Sequence, residues 1–213
     1  MPDKHTIELT INGEDKAAEL HAFACFIGLE SAVSGRYSAL LVLQLFAGYA
    51  SRKLNPAKVI REINALEGIG PPSRTKPPVL FKHPPLKGLW HKHYLADGIS
   101  TMAHNLRNGL TKDGLPRFEQ RVRETLVNGK SNYVSEDDLK FITHDAVIGN
   151  WERRLQASEL TGDWIIYAQH EGANYYLCMG QHDSGDNALR GKIDSLCARE
   201  FTFLSDVLTP FPK

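Results

Sequence analysis

The chain has 213 residues, 42% of them hydrophobic and 23% charged, and its 25 Lys/Arg balance 25 Asp/Glu to a net charge of zero. Those proportions suit a globular chain with a full core and exclude disordered, collagen-like and coiled-coil classes. Cys25, Cys178 and Cys197 are far apart and form no CxxC, which argues against a disulfide framework and a thiolate zinc site.

The start, Met1–His5, lacks a basic patch followed by an apolar run, so no signal peptide is expected. The most apolar stretch, Ala39–Ala50, is shorter than the roughly 20 residues a membrane span needs. A cytoplasmic protein with reduced thiols and no membrane association is the expectation. Charge is unevenly spread: 7 Lys/Arg against 8 Asp/Glu in residues 1–73 (−1), 11 against 4 in 74–130 (+7), and 7 against 13 in 131–213 (−6). The middle third either binds an anionic partner or folds against the acidic third and is neutralised by it.

The alternation of His5–Asn12 predicts a half-buried strand, ended by Asn12-Gly13. Ala17–Val33 reads as one helix with Leu20, Phe23, Ala24, Ile27 and Leu29 on its apolar face. Residues 36–51 read as a second helix, apolar nearly all round and therefore central. Asn55-Pro56 predicts the start of a third, which runs to Glu67. The proline-rich residues 71–78 read as an extended linker or surface loop. Val79–Phe81 and Leu89–Leu95 read as extended, and 102–110 and 117–128 as helical. Ser135–Asp138 matches a capping box that opens a helix to Ser158. Asp163–His170 and Asn174–Gly180 predict a β-hairpin around Glu171-Gly172-Ala173, and a helix and an apolar tail close the chain.

Two segments concentrate chemistry. Lys82–Tyr94 holds three histidines and three lysines. If 89–95 is a strand, His91 and His93 share a face, where imidazoles can transfer protons near neutral pH or bind a metal. Gly162–Asp183 carries Asp163 and, just behind Gly180 at a strand end, His182. Trp164, Ile166, Tyr175 and Leu177 read as core rather than as base-stacking residues. His21, His104, His144 and His170 read as structural or surface residues. No phosphate loop, HExxH, GxSxG or GxGxxG in a βαβ context occurs.

Taken together, these segments resemble the RelE/YafQ type of bacterial mRNA interferase toxin over about thirty-five residues. His83, Leu86, Gly88 and Trp90 follow a His-Pro-Leu-x-Gly-x-Trp pattern with one extra proline. Asp163-Trp164-Ile165-Ile166-Tyr167 and Gly180-Gln181-His182 resemble two further segments of that family. The resemblance implies an α+β fold, mainly helical with a small antiparallel sheet. On this reading 1–213 is a single domain: a strand and helices in 1–70, the linker 71–78, and a histidine-bearing sheet in 79–213 interrupted by a helical insertion at 97–161.

The resemblance also implies an endoribonuclease or RNA-binding domain, with RNA or the ribosome, and an antitoxin or other acidic protein, as partners. Two among His83, His93 and His182 would serve as general base and acid, and Asp163 would orient or tune one of them. Lys82, Lys87 and Lys92, beside Trp90, would hold the substrate. No cofactor is needed for that chemistry. Two alternatives stand beside it. In one, His91, His93 and a third ligand, His104 or His182, hold zinc or another divalent ion. In the other, the chain is a non-catalytic interaction protein.

Overall fold

The fold is that of a computed structural model, which describes residues 10–11, 14–96, 98–128, 133–181 and 184–210. It is an α+β fold, mainly helical with a small antiparallel sheet. Most of the strand expected at 5–12 lies outside the described residues. Its end, β1 (Thr10–Ile11), pairs antiparallel with β2 (Glu14–Asp15) in a separate two-stranded ribbon.

The helix expected over 17–33 is two helices, α1 (Ala17–Phe26) and α2 (Leu29–Val33). Gly28 divides them at φ 81°, a left-handed conformation that glycine adopts without a Cβ penalty. α3 (Ala39–Ala50) opens on Ser38, whose hydroxyl accepts from Leu41 N at 3.1 Å. α4 (Pro56–Leu66) opens on Asn55, which accepts from Ala57 N at 3.1 Å, with Pro56 in the first turn.

The main sheet has the order β3 (Val79–Leu80), β4 (Trp90–Tyr94), β5 (Asp163–His170), β6 (Ala173–Gly180), with every neighbouring pair antiparallel. Side chains alternate along β4 and β5, and both faces of the sheet are covered. On one face Tyr94, Ile165, Tyr167 and Tyr176 pack with Leu20, Leu41, Leu45 and Ile63 of the first four helices. On the other, Ile166, Ala168, Leu177 and Cys178 pack with Leu189, Ile193, Cys197 and Leu204 near the C-terminus. This double burial explains why β5 reads as a nearly unbroken apolar run. A register shift between Ile166 and Tyr167, opposite Leu177, marks a bulge.

Between β4 and β5 lie α5 (Ile99–Asp113), α6 (Pro116–Val127), α7 (Glu136–His144) and α8 (Asn150–Gln156). The capping box at Ser135 and Asp138 is formed, but the helix expected to run on to Ser158 passes through a π-helical turn at Asp145–Gly149. Among the described residues of 98–156 no apolar side chain is fully buried, whereas Asn105, Asp145, Asn150 and Arg154 are. The insertion is thus built around polar contacts. Asp145 accepts from Arg153 Nη1 at 2.8 Å and from Phe118 N at 3.1 Å, which ties the start of α6 to the π turn. No helix of the described residues is long and apolar enough to cross a membrane.

The proline-rich stretch is anchored rather than a passive linker. Thr75 is 2% exposed, bridges to Leu160 and places Oγ1 2.7 Å from His93 O. The C-terminal region adds α9 (Asp186–Lys192), a π-helical turn (Ile193–Cys197), α10 (Ala198–Glu200) and α11 (Leu204–Val207).

Candidate active site

A cavity of about 610 Å³ opens where the last residues of β4 and the first of β5 meet α5. Its sheet wall presents His93, Gly162 and Asp163. Its helix wall presents Thr101, His104 and Asn108, and Lys76 and Gln181 close the sides. The helix wall follows from periodicity: positions 101, 104 and 108 are three and four apart, on one face of α5. The neighbouring face carries the buried Asn105, which holds α5 to the sheet.

His93 is 5% exposed and is one of the residues that line the cavity. Its Nδ1 lies 2.8 Å from Gly162 O and 3.3 Å from Gly162 N. A carbonyl oxygen only accepts, so the shorter contact puts a proton on Nδ1, and the longer contact is no hydrogen bond in that tautomer. In the neutral ring Nε2 then carries the lone pair. Gly162 is there for space: a Cβ would fall 1.9 Å from Tyr94 O. Asp163 accepts from Gln181 Nε2 at 3.1 Å.

The structure brings together only part of the expected site. His93 and Asp163, 70 positions apart in the chain, line one cavity. His83 does not line it. It is exposed in the loop before β4, at the opposite end of that strand, where Arg190 Nη1 donates to Pro85 O at 2.7 Å. Lys82 and Lys87 are exposed on the same loop, away from the cavity lining. His182 follows Gln181 but lies outside the described residues.

Lys92 and Trp90 are corrections. They point to the face of β4 opposite His91 and His93. Trp90 stacks on Tyr167 with ring centroids 6.4 Å apart and packs against the core. Lys92 is 2% exposed. Its Nζ donates to Ser73 Oγ (2.7 Å), Thr75 Oγ1 (2.7 Å) and Lys76 O (2.6 Å), and lies 3.4 Å from Glu62 Oε2. Burial pushes the Lys92 ammonium below its ordinary value against the pull of Glu62. Lys92 therefore anchors residues 73–76, which lead to Lys76, and cannot reach a substrate.

His91 and His93 do share a face, with ring centroids 5.6 Å apart. His91 is packed between Phe81 (4.6 Å) and Trp164 (5.0 Å) and does not line the cavity. Among the described residues no group of three His, Cys, Asp or Glu side chains is placed to hold a metal ion.

The basic middle third meets the acidic third in several ion pairs. Lys112 pairs with Glu159, Arg117 with Glu152 at 3.2 Å and Arg121 with Asp138 at 3.0 Å, so the acidic third neutralises part of it. Sequence reasoning misses Lys76 and names His104 only as a possible third metal ligand. The signal that places His104 on the cavity is the polar face of α5 it shares with Thr101 and Asn108.

No family model matches the chain, and no curated protein or solved structure matches it either.

Proposed function

We propose that the protein is an RNA-directed enzyme that cleaves a phosphodiester bond by histidine acid–base chemistry in this cavity, acting in the cytosol. The observation that supports the reading is that His93 and Asp163 converge on one polar cavity that also holds a second histidine and a lysine. Intramolecular RNA cleavage asks for those groups. A base takes the 2′-hydroxyl proton, an acid protonates the leaving 5′-oxygen, and positive charge stabilises the phosphate oxygens. His93, with its proton held on Nδ1 by Gly162 O, offers Nε2 as the base. Lys76 supplies charge to the phosphate, and Asp163 lines the same cavity beside His93. The resemblance to RelE/YafQ toxins points the same way, and would make translated mRNA on the ribosome the natural substrate and an antitoxin-like protein a partner.

The test is incubation of purified protein with single-stranded RNA, reading for 2′,3′-cyclic phosphate and 5′-hydroxyl ends. Cleavage should persist in excess EDTA and fall at least about a hundredfold in His93→Gln, the usual worth of a positioned base. Loss of cleavage in EDTA, restored by zinc, would instead favour the metal-bearing alternative at His91 and His93. RNA left intact under all conditions would overturn the proposal.

A further inference from the structure

We propose that His104, carried by the insertion, is the general acid of this site, and that Asn105 is the positioning residue that brings it to the sheet. The inference rests on the phosphodiester-cleavage reading above.

In an in-line displacement the attacking and leaving oxygens lie on opposite sides of phosphorus. Base and acid must then approach from different walls. His93 is on the sheet wall. Among the described residues that line the cavity, His104 is the only other imidazole, and it stands on the helix wall. Its neighbours in the lining hold other places: Asp163 accepts from Gln181 Nε2, and Lys76 is assigned to the phosphate.

His104 is held in place through its neighbour in sequence. Asn105 is 1% exposed. Its Nδ2 donates to Thr161 O at 2.7 Å and its Oδ1 accepts from Thr161 N at 2.9 Å. Arg154 Nε donates to the same Oδ1 at 3.4 Å. Thr161 leads directly to Gly162, whose carbonyl holds His93. One short path, Asn105 to Thr161 to Gly162 to His93, therefore fixes the helix wall against the sheet wall.

The step balances. His93 takes the 2′-hydroxyl proton as the 2′-oxygen bonds to phosphorus, the bond from phosphorus to the 5′-oxygen breaks, and His104 gives that oxygen its proton. The two rings exchange protons with water afterwards, and nothing is oxidised or reduced.

The test compares RNA with uridine 3′-(4-nitrophenyl phosphate), whose leaving group departs without a proton. His104 is exposed, so His104→Ala should fold as the wild type does. It is expected to lose at least about a hundredfold on RNA while cleaving the aryl ester at essentially the wild-type rate. Asn105→Ala is expected to show the same split, with a loss on RNA of up to about a hundredfold, the scale of a misplaced catalytic group. His93→Gln should fail on both substrates. Full RNA cleavage by His104→Ala overturns the inference and leaves the cleavage reading standing, as does an equal loss on both substrates. The split appearing in His182→Ala instead of His104→Ala also overturns it. A wild type that cleaves neither substrate overturns the inference together with the reading beneath it.

Discussion

Asn105 meets both backbone groups of Thr161 with its single side-chain amide, at 2.7 and 2.9 Å, and so joins the polar-cored insertion to the start of β5. The amide imitates a strand neighbour for a residue just outside the sheet. Because the described residues of 98–156 contain no fully buried apolar side chain, such polar joints carry much of their attachment. Replacing Asn105 with the similarly sized Leu leaves the N–H and C=O of Thr161 unmet. The expected loss is about 1–3 kcal/mol for each group, read as a lower urea midpoint.

Gly162 is a steric requirement of the cavity. A Cβ there would sit 1.9 Å from Tyr94 O and 3.2 Å from Leu95 Cα, both backbone atoms that cannot swing aside. Gly162→Ala should cost at least about 1–3 kcal/mol, as overpacking does, and should displace the carbonyl that sets the His93 tautomer. Thermal unfolding measures the first effect. The chemical shifts of the His93 ring in NMR measure the second.

The Lys92–Glu62 pair is buried on both sides, with side chains 3% and 6% exposed. Removing one partner strands the other charge, so Glu62→Leu should destabilise by about 3–5 kcal/mol. Replacing both, with Lys92→Met added, should cost clearly less than the two single changes together. A double-mutant cycle in urea tests this, and strict additivity would count against coupling.

Glu67 predicts the acid limb of stability. Burial pulls its carboxyl upward, but hydrogen bonds from Arg36, Tyr176 and Asn174 outweigh that and hold it below the usual carboxylate value. A carboxyl depressed in the folded state stabilises fully above its unfolded value of about 4.3, and that stability is lost as pH falls through the folded value. Unfolding midpoints should therefore drop as pH falls below about 4.3, and Glu67→Gln should be less stable at neutral pH with a shallower acid limb.

Local chemistry was legible from residues alone. Asn55-Pro56 and Ser135–Asp138 announced helix starts because caps depend on residues within a single turn. The β5–β6 hairpin was legible because its two strands adjoin in sequence. Gly28 and the π turn at Asp145–Gly149 were not, since apolar periodicity runs straight across both.

Sequence by itself determined the α+β class, the helix caps, the hairpin, and the common face of His91 and His93, all consequences of short-range periodicity. Only the tertiary structure decided which side chains meet. Lys92 and His93 are adjacent in sequence, yet strand alternation sends one into the core beside Glu62 and the other to the cavity. His104 joins His93 because Asn105 pairs with Thr161 across 56 positions of chain, a contact no local pattern encodes.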